Sequence, residues 1–234
     1  MTRTLILPGL HDSDSEHWQS RWEARDRTME RVIQNNWKTP HCSEWVARLD
    51  QALEYTGPGT SLVAHSAGCV LVAHWAVGCQ QGRVHGALLV APSDPEAATF
   101  PSGPTGFAPM PLVRLPFPSV VVASSNDPFV TVERAQEFAT AWGSEFVMIG
   151  EAGHINSASG LGDWAEGLAL LNTLRKTPVE NLSGTMAKKR IPKGRSDGSA
   201  PRSYSHAESR RNNGGALRRG NQRTKTIKQY TNNI

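Results

Sequence analysis

Ser61-Leu62-Val63-Ala64-His65-Ser66-Ala67-Gly68-Cys69 is the stretch whose reading decides the fold. A short apolar run ends in Ala-His-Ser-Ala-Gly, and a small-residue helical segment, Val70 to Cys79, follows at once. Strand, tight turn and helix in immediate succession form a nucleophile elbow, which exposes a serine hydroxyl above a sheet. Positions two before and two after the serine must be small, because backbones nearly touch there. Gly68 keeps the second glycine of the G-x-S-x-G pattern, and Ala64 takes the place of the first. If Ser66 is a nucleophile, the chain must also supply a base, an acid and oxyanion donors.

Those groups follow in order. Ser119-Val120-Val121-Val122-Ala123 reads as a strand and runs into Ser124-Ser125-Asn126-Asp127-Pro128. Glu145-Phe146-Val147-Met148-Ile149 reads as another and runs into Gly150-Glu151-Ala152-Gly153-His154. In an open parallel sheet, ligands bind beyond the carboxyl ends of the strands, so Ser66, Asp127 and His154 are expected on one edge. Their order along the chain, Ser, Asp, His, is that of α/β-hydrolases. The first strand-like run, Thr4-Leu5-Ile6-Leu7, ends in Pro8-Gly9-Leu10 at the same edge. A backbone N–H of Gly9 or Leu10, with that of Ala67, would make an oxyanion hole.

Rivals exist for two of these roles. Asp94, in Pro92-Ser93-Asp94-Pro95, also follows a strand on this edge. Asp127 is preferred because it directly precedes the histidine-bearing strand; Asp94 would line the pocket or cap a turn. His65 adjoins Ser66, but its side chain points elsewhere from the elbow, so His154 is the expected base. Trp18, Trp37 and Phe107 are candidates for an apolar acyl pocket, with core packing as the plainer alternative. Asn156 and Asp163 would shape the loop around His154.

Strand-like runs at 3–7, 29–33, 60–65, 86–91, 118–124 and 145–149 alternate with helical segments. Most are continuously apolar, as parallel strands buried on both faces should be. Residues 29–33 alternate and read as an edge strand. Ser13-Asp14-Ser15-Glu16 fits a capping box, with Ser13 as N-cap of a helix carrying Trp18 and Trp22. Further helices are expected over 43–55, Val132 to Trp142 and Leu161 to Leu174. This alternation predicts a doubly wound α/β fold with a mainly parallel sheet of these strands. The proline-rich connection from Ser93 to Pro118 either covers the Ser66 pocket or is a rigid surface connector.

The 234 residues have a net charge of +4 that hides two opposed parts. Residues 1–175 carry 11 Lys and Arg against 18 Asp and Glu, whereas residues 176–234 carry 14 against 3. Residues 178–234 hold no Trp or Phe and show no periodicity, so they read as a disordered basic tail on a domain spanning 1–177. A solvated tail is the plainer reading. A polyanion partner such as nucleic acid and a C-terminus altered by a shifted reading frame are the alternatives.

No run of 18 apolar residues suggests a membrane span, and the N-terminal apolar stretch is too short for a signal peptide. Cys42, Cys69 and Cys79 form no C-x-x-C motif and read as reduced thiols in a cytoplasmic protein. No phosphate-binding glycine motif or H-E-x-x-H pattern appears, so neither a cofactor nor a metal is expected.

Taken together, these segments resemble the small serine α/β-hydrolases that include the mammalian retinoblastoma-binding serine hydrolase and its short bacterial relatives. The resemblance rests on Leu5-Ile6-Leu7-Pro8-Gly9, His17-Trp18, Asn36-Trp37, Val63 to Gly68, Ser124 to Pro128, Gly153-His154-Ile155-Asn156 and Gly160 to Trp164. It covers about residues 3–175 and implies a cap-less hydrolase fold with Ser66, Asp127 and His154 as a triad. The L-x-C-x-E peptide linked to the retinoblastoma protein has only Pro40-His41-Cys42-Ser43-Glu44 as its counterpart. Proline replaces the leucine, so that partner does not carry over. The expectation is a hydrolase of small esters, thioesters or amides. The competing expectation is a non-enzymatic binding protein on the same fold, with the basic tail as its working part.

Overall fold

The computed structural model describes residues 3–79 and 81–176. The expected basic tail and its boundary lie outside these residues. Six strands form one parallel sheet: β1 (Thr4–Leu7), β2 (Met29–Arg31), β3 (Thr60–His65), β4 (Val84–Val90), β5 (Ser119–Ala123) and β6 (Glu145–Met148). Their spatial order is β2-β1-β3-β4-β5-β6, with every pairing parallel. β2 lies at the edge, as its alternating sequence predicts. The chain leaves β1 toward one side for β2 and returns to the other side for β3. The switch in direction therefore falls between β1 and β3, where a doubly wound sheet opens its crevice.

Alternation along the strands divides the core into two layers. Leu5, Leu7, Leu62, Ala64, Leu89 and Val121 face one layer, which contains α2 (Cys42–Thr56), α3 (Ala67–Val77) and α4 (Val132–Trp142). Ile6, Val63, Leu88, Val90, Val120 and Val122 face the other, with α1 (Trp18–Arg25) and α5 (Ala165–Lys176). α3 is apolar almost all round, as befits a helix wedged between the sheet and its neighbours. No helix among the described residues is long and apolar enough to cross a membrane.

Two helix starts differ from expectation. α1 begins at Trp18, with His17 rather than Ser13 as its N-cap; His17 Nδ1 accepts from the Gln19 N–H at 3.2 Å. Asp14 is the reason. Its Oδ1 accepts from the N–H groups of Glu16 (2.8 Å) and His17 (3.1 Å), closing a local turn that competes with helix at this point. α5 begins at Ala165 rather than Leu161. Gly162 (φ 57°) and Trp164 (φ 39°) both adopt positive φ, which no helix accommodates.

The proline-rich connection reaches the Ser66 cleft and is anchored in the core, so it is more than a surface connector. Phe100 and Pro101 line the cleft at Ser66. Phe107, Met110, Leu115 and Phe117 are buried in the core layer beneath α2 and α3.

Candidate active site

Ser66 sits between the end of β3 and the start of α3 with φ 56° and ψ −124°, a conformation that non-glycine residues adopt only at a cost. The turn is clamped on both sides. The Ser66 N–H donates to the Val90 carbonyl (3.0 Å), and the Ser66 carbonyl accepts from the Cys69 N–H (2.9 Å). A Cβ at Gly68 would lie 2.3 Å from the Leu7 carbonyl oxygen, so the helix start presses directly on the end of β1. A Cβ at Gly9 would lie 2.7 Å from Ser66 Cβ, so the loop after β1 passes directly against the serine. Ala64 is fully buried opposite Leu7, and its methyl fits without opening the contact.

Beyond the elbow the structure brings Ser66, His154 and Asp127 together. Ser66 Oγ lies 2.8 Å from His154 Nε2. His154 Nδ1 lies 3.0 and 2.9 Å from the two carboxylate oxygens of Asp127. An ionised carboxylate only accepts, so Nδ1 carries the proton and Nε2 offers its lone pair to the serine hydroxyl. The Asp127 side chain is fully buried and also accepts from the Phe129 N–H at 2.9 Å.

The loops bearing the acid and the histidine are stitched to each other. Ser124 Oγ accepts from the Ala152 N–H (2.9 Å), and Asn126 Oδ1 accepts from the Gly153 N–H (2.7 Å). Asn156 caps a single turn of 3-10 helix, Ser157–Ser159, just after the histidine. The Asp163 carbonyl accepts from Trp22 Nε1 at 2.7 Å and ties this loop to α1.

Beside Ser66 opens a cleft of about 420 Å³. Its lining combines the apolar Leu10, Phe100, Pro101 and Phe129 with the polar Asp12, Asp14, His17, Asn156 and Ser157. The three aromatic residues expected to line it do not. Trp18 lies in the opposite core layer against Trp22 and Trp164, because its indole N–H finds a partner in the Ile155 carbonyl (2.8 Å). Trp37 packs edge-on against Trp45, and Trp45 against Phe107, with Phe107 buried in the other layer. Trp18 thus supports the residue after His154 rather than touching a ligand.

Of the oxyanion candidates, Ala67 is the first residue of α3, where backbone N–H groups have no intrahelical acceptor. Leu10 lines the cleft, and Gly9 lies against the serine itself. His154 Nδ1 is bonded to Asp127, and Asp94 has other partners. Asp94 pairs with Arg134 on α4 (3.1 Å) and accepts from the Glu96 N–H (3.1 Å).

Three polar residues lie near the serine: His65, whose side chain points away from Ser66 as expected, and Ser93 and His17, to which no role was assigned from sequence. Ser93 Oγ lies 2.8 Å from Ser66 Oγ. His65 Nε2 donates to the His154 carbonyl at 2.8 Å. His17 is 3% exposed, and its Nε2 finds no hydrogen-bond partner among the described residues. Burial holds His65 well below the usual histidine range, and His154 and His17 push it the same way. Burial likewise takes His17 down to about 4, against a smaller opposing pull from Asp14. Both imidazoles are therefore neutral at pH 7. Burial pushes the Cys69 thiol, one turn along α3, far above the physiological range, so it offers no thiolate beside Ser66.

A family model for serine hydrolases matches residues 4–173. The chain belongs to the serine hydrolase family. It is similar to a YdeN-like hydrolase of Pectobacterium atrosepticum at 35% identity, over 78% of this chain and 92% of that one, with a TM-score of 0.66. The YdeN protein of B. subtilis shares 17% identity over 76% of this chain and all (100%) of its own length, with a TM-score of 0.59. A thermophilic esterase of Thermogutta terrifontis shares 16% identity over 75% of this chain and 90% of its own, with a TM-score of 0.55. The last two share the fold. No curated protein matches the chain. For this serine hydrolase, fold and family agree with the six-stranded sheet and its elbow.

Proposed function

We propose that this serine hydrolase cleaves small carboxylic esters, thioesters or amides through an acyl-enzyme on Ser66. The observation that carries the reading is the unbroken hydrogen-bond chain from Ser66 Oγ through both nitrogens of His154 to Asp127. Ser66 Oγ attacks the substrate carbonyl while His154 Nε2 takes its proton. Asp127 keeps the imidazole in the tautomer that can do so and stabilises the charge it gains. The tetrahedral oxyanion is met by the Ala67 N–H and by the Leu10 N–H at the cleft wall. His154 returns the proton to the departing group. Water, deprotonated by the same nitrogen, then releases the acid.

The apolar lining residues Leu10, Phe100, Pro101 and Phe129 suit a short acyl chain, and the polar ones beside them suit a substrate that also carries hydrophilic groups. Ester, thioester and amide substrates place the same carbonyl at Ser66 and differ only in the leaving atom. Matched acyl donors of each kind, assayed over a series of chain lengths, separate them. Covalent labelling by a fluorophosphonate tests the reading as a whole. A folded protein that takes up no label on Ser66 is a binding protein on a hydrolase fold instead.

A further inference from the structure

We propose that Ser93 is a catalytic residue of the reaction proposed above, on which this inference rests: its hydroxyl donates to Ser66 Oγ and supports charge on that oxygen when the acyl-enzyme breaks down. Ser66 Oγ has two close polar neighbours, His154 Nε2 and Ser93 Oγ, each at 2.8 Å. Ser66 has one hydroxyl proton, and the lone pair of His154 Nε2 takes it. The Ser66–Ser93 contact is then a hydrogen bond only if Ser93 donates.

Ser93 is placed with as much constraint as the rest of the site. It is 4% exposed and follows β4 through Ala91, a non-glycine residue held at φ 48°. Such a conformation persists only where the surroundings impose it. On its other side the Asp94 N–H donates to the Phe129 carbonyl (3.1 Å), and the Asp94 carboxylate binds Arg134. The turn bearing Ser93 is thereby fastened to the loop bearing Asp127. A buried hydroxyl aimed at the nucleophile by two independent anchors is more than packing requires.

The two half-reactions use this donor differently. In acylation, a lone pair of Ser66 Oγ becomes the new C–O bond, so donation from Ser93 weakens as the bond forms and does not help. In deacylation, water adds to the acyl carbon and gives its proton to His154. The C–Oγ bond then breaks, its electron pair passes to Oγ, and His154 returns the proton there. Ser93 meets the charge that grows on Oγ as that bond breaks, and is itself unchanged at the end.

The test is steady-state and burst kinetics of the full chain with a short-chain p-nitrophenyl ester, whose activated leaving group speeds acylation, at a chain length where a burst in the parent shows that deacylation limits turnover. Ser93→Ala and Ser93→Cys are compared with the parent; the second nearly preserves volume, should alanine not fold. Both should lower kcat by about tenfold to a hundredfold, the scale of a hydrogen bond to a charged oxygen. Both should leave kcat/KM within about threefold, because acylation is spared. KM falls with kcat, and the acyl adduct on Ser66 accumulates in the intact mass spectrum. An unchanged kcat overturns the proposal. So does an equal fall in kcat and kcat/KM with a lowered melting midpoint, which marks a purely structural residue. Ser66→Ala run alongside separates the two claims. If it still turns over ester, the Ser66 acyl-enzyme reading fails; if it is dead and the Ser93 variants are normal, only this inference fails.

Discussion

The imidazole of His65 donates to the carbonyl oxygen of His154, 2.8 Å away, so the residue before the serine holds the residue that would take the serine's proton. The bond lies inside the protein, next to the ring of His17. His65→Leu leaves that carbonyl without its partner. The expected cost is about 1–3 kcal/mol of stability, together with a fall in kcat on the order of tenfold to a hundredfold from misplacing His154. Chemical denaturation and ester turnover read the two effects, and a variant unchanged in both would show that the backbone holds His154 unaided.

His17 and His65 make stability depend on pH in a definite direction. An unfolded histidine binds a proton below about pH 6.5, but His17 in the folded protein binds one only near 4. Between those values the unfolded state holds more protons, so stability falls as pH falls. For His17 alone the loss amounts to about 3 kcal/mol across the window, and His65 adds a loss of the same sign. His17→Asn keeps a side chain able to cap α1 and removes one titration. Its melting midpoint should decline less steeply than the parent's between pH 6.5 and 4. Parallel curves would mean that His17 does not titrate with unfolding.

Gly68 is tested against Ala64, the other small residue of the elbow. An alanine at 68 would press its methyl against two carbonyl oxygens, Leu7 at 2.3 Å and Pro8 at 2.8 Å. Backbone must move, so Gly68→Ala should cost about 1–3 kcal/mol or more and displace the Gly9-Leu10 loop from Ser66. Ala64→Gly only loosens a strand, by roughly 0.5–1 kcal/mol, and should keep most activity. Thermal melts of the pair decide the ranking.

Asp127 and Asp94 are told apart by one exchange each. Asp127→Asn should lower kcat by about 10⁴, because the amide favours the wrong histidine tautomer. Asp94→Asn loosens the tie to Arg134 but leaves His154 paired, so its kinetic loss should stay below about tenfold. The reverse ranking would assign the acid to the strand before.

The parts of this site legible in the sequence are those fixed by short-range geometry. Ser61 to Cys69 specifies strand, turn and helix within nine residues, so the elbow could be read directly. Asp127 and His154 follow strands whose continuous apolar runs place them on one edge. The aromatic residues were misplaced because a helix face or loop does not reveal which layer it joins. Trp18 goes to the layer of Trp22 and Trp164 because its N–H reaches Ile155, 137 residues along the chain. Ser93 was hidden for a related reason. Its aim depends on the positive φ of Ala91 and on anchors at Phe129 and Arg134, none of which leaves a local pattern. The Ser13 capping box failed because Asp14, a stronger local acceptor, closes the turn first.

The central claim is that Ser66 forms the acyl-enzyme, and its most direct test is the turnover of a short-chain activated ester by Ser66→Ala in a preparation free of other esterases. The hydroxyl is small and the elbow is held by backbone bonds to Val90 and Cys69, so the variant should fold. Turnover should fall by up to roughly 10⁶, the scale of losing a triad serine, and the acyl adduct should vanish from the intact mass spectrum. Turnover within about tenfold of the parent, with an adduct on another residue, would contradict the account.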